Sequence, residues 1–131
     1  VKIRITIPSD PTCLNLIRNL VKESVPDDRF DKVVVEHIVQ AVDEACSNVI
    51  EHSYRMDTSK KLAMTVDTDT EKVTFVIEDT GIGLKTMKSR KPNIKEYVEK
   101  RKDGGWGRYI IEHVMDEVKY SRRGRKNMLK L

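Results

Sequence analysis

The chain has 131 residues, 35% charged and 38% hydrophobic, with a net charge of +4. That length suits one domain built around one core, and the composition is that of a globular protein rather than a disordered polar one. No apolar run approaches the roughly 18 residues of a bilayer span, so no membrane association is expected.

Lys2 to Ile7 alternates Ile3, Ile5 and Ile7 with Lys2, Arg4 and Thr6, the pattern of a half-buried strand. Pro8-Ser9-Asp10-Pro11 ends it and opens a helix, with Asp10 as N-cap and Pro11 in the first helical position. Leu14, Ile17, Leu20 and Val21 give that helix its apolar face. Pro26-Asp27-Asp28 reads as a turn. Phe30 to Tyr54 then runs without Pro or Gly. Val34, Ile38, Ala41, Val42, Ala45 and Val49 recur there at helical spacing, which predicts one long helix. Tyr54 to Ser59 loses the period and reads as a loop.

Lys61 to Asp67 alternates Leu62, Met64 and Val66, and Lys72 to Glu78 alternates Val73, Phe75 and Ile77. The polar stretch Thr68 to Glu71 between them predicts a hairpin. Leu84 to Asp103 is polar, strongly basic and contains Pro92, which predicts a loop with a short helix over Asn93 to Lys102. Gly104-Gly105-Trp106-Gly107 opens a last helix with Ile110, Ile111 and Val114 on its apolar face. Glu117 to Tyr120 is strand-like, Ser121 to Gly124 turns the chain, and Asn127 to Leu131 is expected as a final edge strand.

Cys13 and Cys46 stand apart, both within helical patterns. They make neither a metal spacing nor a disulfide framework, so a reducing cytoplasm is the expected setting. A basic chain can meet nucleic acid, a phosphate ligand or an acidic protein. With one Trp and scattered Tyr and Phe there is no basic groove interleaved with aromatics, so direct nucleic-acid binding is not expected.

Three stretches carry candidate chemistry. Glu44, Asn48 and His52 are four apart, which lines them up along one face of the long helix. A carboxylate there can take a proton, and an amide oxygen one turn on can ligate a hard cation such as Mg2+. By itself the row reads more readily as a solvated helix face. Asp79 closes a strand and is followed by Gly81 and Gly83. Such a carboxylate can accept from an exocyclic amine where glycines let a flat ring approach the backbone, although an ordinary turn has the same look. Gly104, Gly105 and Gly107 at a helix start would bare backbone N–H groups to an anion, or serve only as a hinge. The basic run before them, with Arg101 and Lys102 at its end, would suit a phosphate lid or a solvated charge run. Their order along the chain sharpens all three. No Walker-type phosphate loop and no protein-kinase signature set occurs.

Glu44-Ala-Cys-Ser-Asn48-Val-Ile-Glu-His52 resembles the N box of the GHKL (Bergerat-fold) ATPases. Asp79-Thr-Gly81-Ile-Gly83 resembles their first glycine box, and Gly105-Trp106-Gly107 with the preceding lid resembles their second. The short length and the stretch Met115-Asp-Glu-Val-Lys-Tyr look most like the bacterial anti-sigma-factor serine-protein kinases, and the likeness covers nearly the whole chain. The resemblance implies an α/β two-layer sandwich, with a mixed, mostly antiparallel sheet and three main helices on one face. It implies one ATPase domain over residues 1–131 with an ATP lid at about 84–103.

The family's ligands are ATP and Mg2+. Its roles would make Glu44 the general base and Asn48 the Mg2+ ligand, with Asp79 reading the adenine amino group. Gly81, Gly83, Gly104, Gly105, Trp106 and Gly107 would line the nucleotide, and Arg101 and Lys102 would meet its phosphates. The implied partners are a small antagonist protein, phosphorylated on serine, and a sigma factor, with pairing of two copies through a sheet edge. Two features depart from the family pattern. Arg108 stands where the second glycine box usually has an apolar residue, and Gly124-Arg-Lys-Asn127 lacks the usual Gly-Thr pair. Two other readings remain: a nucleotide-binding regulator that docks partners without transferring phosphate, and the ATP-binding module of a histidine kinase. Against the second, His37 and His52 both sit in the N-box helix, and the chain has no room for a phospho-accepting helix pair.

Overall fold

The computed structural model describes residues 1–84 and 106–131, without the Trp106 side chain. The helix expected over Asn93 to Lys102, and the lid beyond Leu84, lie outside the described residues. The described elements are β1 (Lys2–Pro8), α1 (Leu14–Ser24), α2 (Lys32–Asn48), β2 (Lys61–Thr68), β3 (Val73–Asp79), α3 (Trp106–Val114), β4 (Lys119–Arg123) and β5 (Lys126–Lys130). A single 3-10 turn, Pro11–Cys13, leads into α1. Asp10 caps it by accepting from the Thr12 backbone N–H at 2.9 Å, as expected from the Asp-Pro pair.

The strands form one sheet in the order β1-β2-β3-β5-β4. Every described pairing is antiparallel, so the expected two-layer α/β sandwich is present with no parallel pair among these strands. Period-two alternation sets the register. Ile3, Ile5 and Ile7 lie opposite Val66, Met64 and Leu62, and Met64 and Val66 lie opposite Ile77 and Phe75. That face is closed by Ile17 and Val21 of α1, Val42 and Ala45 of α2 and Ile111 of α3, all in one core cluster with the strands. A register slip of one residue would turn this apolar set to water, so the pairing is strongly specified. Cys46 lies within the core, and burial pushes its thiol well above the ordinary range, leaving a small inert apolar residue.

Three expectations are corrected. Asn127 to Leu131 is not at the edge: β5 lies between β3 and β4, and β4 is the edge strand. The solvent-facing alternates Lys126, Met128 and Lys130 make β5 look like an edge, but Asn127, Leu129 and Leu131 are buried. β4 reaches Arg123, so the turn after it is confined to Gly124 and Arg125. Val34 is 39% exposed while Val35 is 8% exposed, because α2 is phased on Val35, Ile38, Val39, Val42 and Cys46.

On the sheet face away from the helices, Glu78 is 7% exposed and held between two cations. Arg4 pairs with its Oε2, and Lys126 Nζ lies 3.0 Å from Oε1. Burial pushes the Glu78 carboxyl up, but the hydrogen bonds and charges of Arg4 and Lys126 outweigh that and hold it below its ordinary value. A depressed carboxyl stabilises the fold above its unfolded pKa, and that contribution is lost as pH falls through the folded value. Chemical denaturation of Glu78→Gln should therefore show a deficit against wild type at neutral pH. The deficit should close as pH falls through the acid range.

Candidate functional site

Two clusters of candidate residues form around the C-terminal end of α2. In the first, Glu44 projects half-buried from α2 toward the start of α3. A Cβ on Gly107 would run into Glu44 Oε2, the far end of a flexible side chain, so with glycine here the first turn of α3 sits directly on this carboxylate, and a larger residue would displace it. Burial raises the Glu44 pKa, and the neighbouring charges of Asp43 and Glu51 raise it further. Asp43 is itself held by Arg18 Nη1 at 2.8 Å. Asn48, one turn beyond Glu44, is also half-buried.

The helix then changes pitch. Val49–Ser53 is a π turn, closed by Tyr54 N–H donating to Val49 O at 2.9 Å and Met56 N–H donating to Ile50 O at 2.8 Å. Arg55 and Met56 take left-handed φ values of 49° and 64° to complete this ending. The wider turn breaks the expected row. His52 is exposed, with its Nε2 3.8 Å from Glu51 Oε2, and does not continue the line of Glu44 and Asn48.

The change of pitch carries Ser53 and Tyr54 to the turn after β3, where the second cluster lies. Asp79 is 4% exposed. Its Oδ1 accepts from Ser53 Oγ at 2.5 Å, Gly81 N–H at 2.9 Å and Asn127 Nδ2 at 2.9 Å. Ser53 Oγ also accepts from Gly83 N–H at 3.1 Å, and Ser53 O accepts from Ile82 N–H at 3.0 Å. The Tyr54 hydroxyl accepts from Thr80 N–H at 2.8 Å and donates to Lys61 O at 2.5 Å. Gly81 packs so closely that a Cβ would meet the Ser53 backbone carbonyl. From the far side, Arg122 Nη1 donates to Ile82 O at 2.8 Å, and the Tyr120 hydroxyl accepts from Leu84 N–H at 2.8 Å.

Asn127 Nδ2 makes a second bond, to Gly81 O at 3.0 Å. Both of its neighbours are acceptors, which assigns the amide nitrogen to this side. Asn127 Oδ1 is then buried without a hydrogen-bond partner among the described residues. Asp79 Oδ2 has no hydrogen-bond partner among the described residues.

The structure thus brings Glu44 to Gly107 and Asp79 to Gly81 and Gly83, with Asn48 on the stretch of chain between the two groups. Gly104, Gly105, Arg101 and Lys102 lie outside the described residues. Trp106 opens α3, but its side chain is outside them. Arg108 forms an i,i+4 ion pair with Glu112 at 3.0 Å. Among the described residues no three His, Cys, Asp or Glu side chains gather as a metal site. A Mg2+ at Asn48 would therefore draw further ligands from phosphates. Beside the Asp79 turn a cleft of about 430 Å³ lies between Tyr54, Ile82 and the cations Arg55, Lys60, Arg122 and Arg125. Ser53, Thr80 and Gly81 of the Asp79 cluster also line it, whereas Glu44 and Asp79 themselves do not.

Sequence reasoning missed Ser53, Tyr54, Tyr120 and the bonding role of Asn127. Ser53 and Tyr54 directly follow the row of polar residues on α2. Asn127 stands at the late-strand position already marked as a departure, which is the one signal that pointed to it.

A two-layer sandwich with an acid-bearing helix beside a glycine turn and a glycine-bearing helix start is the frame of a nucleotide-binding ATPase. The model of the histidine kinase-like ATPase domain matches residues 7–131, and the chain belongs to that family. Its curated relatives include serine-protein kinase RsbW of Bacillus licheniformis, 25% identical over 116 residues, covering 86% of this chain and 72% of the relative. RsbW of Bacillus subtilis (strain 168) is 23% identical over 122 residues, covering 89% and 76%. RsbW of Oceanobacillus iheyensis is 26% identical over 121 residues, covering 89% and 77%. Among solved structures, the RsbU and RsbW domains of Rv1364c from Mycobacterium tuberculosis share the fold, with a TM-score of 0.67 at 16% identity. That match covers 100% of this chain and 31% of the other.

The packing at Gly81 sets up a direct comparison. Gly81→Ala should destabilise the protein by about 3 kcal/mol, because the Ser53 carbonyl cannot give way. Gly124→Ala should cost only the left-handed backbone penalty of about 1 kcal/mol, since its φ is +58° and nothing lies within 4 Å. Urea unfolding of the two variants checks the order.

Proposed function

We propose that this chain is an ATP-dependent serine-protein kinase and anti-sigma factor. It would phosphorylate a small antagonist protein and sequester a sigma factor when that antagonist is unavailable. The observation that carries the reading is the seat of Gly107 on the Glu44 carboxylate at the N-terminus of α3, where that group would serve as proton acceptor. The serine-protein kinase relatives support it. In this reading residues 1–131 form one domain, with the lid at about 84–103.

ATP would lie between α2, the Asp79 turn and the start of α3. Asp79 Oδ2 would accept from the adenine amino group, and Gly81 and Gly83 would let the base reach the backbone. Gly104, Gly105, Trp106 and Gly107 would line the phosphates at the helix start, and Asn48 would hold Mg2+ against them. In the transfer, Glu44 takes the proton from the partner's serine hydroxyl as that oxygen bonds to the γ-phosphorus. The bond to the β-phosphate oxygen breaks and ADP leaves. Arg101 and Lys102 would offset charge at the γ-phosphate. A cytoplasmic setting, and pairing of two copies through the β1 edge of the sheet, belong to the same proposal.

Calorimetric titration tests the nucleotide site. Wild type should bind ATP and ADP with Mg2+, and Asp79→Asn should weaken both about tenfold or more, since the amide offers the adenine amine a poorer acceptor. Phosphate transfer to a serine of the antagonist tests the chemistry. Glu44→Gln should abolish it while nucleotide still binds; unchanged partner regulation in that variant would favour a non-transferring regulator.

The raised Glu44 pKa adds a pH signature. Only the carboxylate accepts the proton, so the acid limb of the rate should lie above the ordinary glutamate range, and Glu51→Gln should move it down. The same shift means that the ionised group opposes folding at pH values above its folded pKa. Glu44→Gln should therefore melt higher than wild type at neutral pH.

A further inference from the structure

The bonds around Asp79 do more than bury a carboxylate. Asn127 Nδ2, Gly81 and Asp79 form a closed ring: Gly81 N–H bonds Asp79 Oδ1, Gly81 O accepts from Asn127 Nδ2, and the same Nδ2 returns to Asp79 Oδ1. Ser53 Oγ adds the third donor on that oxygen from the opposite side. Turning the carboxylate would break all three bonds on Oδ1. Both hydrogens of the Asn127 amide are committed, something a hydroxyl with one hydrogen could not do. The amide is 0% exposed, and its Oδ1 has no partner among the described residues, so its bonding is spent on this clamp.

We propose that Asn127, together with Ser53, determines base specificity by positioning: it locks Asp79 so that Oδ2 is offered to a 6-amino purine and cannot adjust to a 6-oxo purine. The inference rests on the nucleotide reading above. A 6-amino group donates a hydrogen to Oδ2. A 6-oxo group turns a lone pair toward the same oxygen, and its nearest donor is the adjacent N1–H. A carboxylate free to tilt could follow that N1–H, whereas one clamped through three bonds cannot. Discrimination therefore depends on the clamp as well as on the carboxylate. Asn127 acts through Asp79 and needs no contact with the base.

The test is calorimetric titration of the full chain with Mg2+ and either ATP or inosine triphosphate. Wild type, Asn127→Ala, Asn127→Thr and Ser53→Ala are compared. Wild type should prefer ATP by about 100-fold. Asn127→Ala should reduce that ratio about tenfold or more, and Asn127→Thr, with one donor restored, should recover part of it. Ser53→Ala removes a different donor from the same oxygen and should lower the ratio too, which keeps the test sound if Asn127→Ala does not fold. If the variants weaken both nucleotides by the same factor and leave the ratio intact, the residues are structural only and the inference is overturned. Equal wild-type binding of both nucleotides would overturn the inference and leave the nucleotide reading standing. Binding of neither would remove that reading, and this inference with it.

Discussion

The Asp79 carboxylate is the constraint around which the C-terminal half of the sheet and the end of α2 are arranged. A carboxylate that is 4% exposed is costly unless donors replace its water. Two of its three donors come from 26 residues earlier and 48 residues later in the chain. Each has a topological consequence. Asn127 can reach Asp79 only if β5 lies directly beside β3, and the two residues are a register pair there. That places β5 inside the sheet and leaves β4, with Lys119, Arg122 and Arg123, to face solvent as a charged edge of the kind that resists further pairing. Ser53 can reach Asp79 only if the chain leaves α2 in the right direction, which is the work of the π turn.

The π turn shows what a local rule cannot see. An α-helix advances about 100° per residue, so a continued α2 would have kept His52 near the line of Glu44 and Asn48. Widening the last turn swings His52 into solvent and Ser53 and Tyr54 inward. Nothing in Val49-Ile50-Glu51-His52-Ser53 signals this, since the residues would serve an α-helix equally well. The cause is tertiary: Tyr54 anchors on Thr80 and Lys61, and Ser53 anchors on Asp79 and Gly83. The left-handed residues Arg55 and Met56 add a backbone cost that a glycine would avoid, and those anchors hold them in place.

Legibility in the sequence follows the same division. β1, β2 and β3 were readable because their apolar residues share the face turned toward the helices, and period-two alternation is the direct imprint of that. α1 and its Asp10 cap, and the hairpin of β2 and β3, were readable from local chemistry. Strand order was not, because it depends on which distant polar groups satisfy one another. In the candidate site, Glu44, Asn48, Asp79, Gly81, Gly83 and Gly107 stood out by spacing and by their order along the chain, and the structure gathers all but Asn48 into two contact clusters. Asn127 and Ser53 did not stand out. Each is an ordinary polar residue whose importance lies in a partner far away in sequence. Val34 was misassigned for a milder reason: in a run of three valines, periodicity alone does not decide which one faces inward.

The contact between Glu44 and Gly107 shows where the packing seam of α3 on the core accepts a charge. Ile111 of α3, at 0% exposure, packs into the core shared with Ala41, Val42 and Ala45 of α2. A half-buried carboxylate with Asp43 and Glu51 nearby is a poor choice for stability alone, and an apolar residue would serve the seam better. Glycine at 107 removes the steric obstacle but does not neutralise the charge. The remaining compensation available in the described residues is the N-terminal end of the α3 dipole, which favours a negative group, and such a helix end offsets only part of a desolvation cost. The seam therefore retains an ionisable group whose protonation is set by burial and by its acidic neighbours.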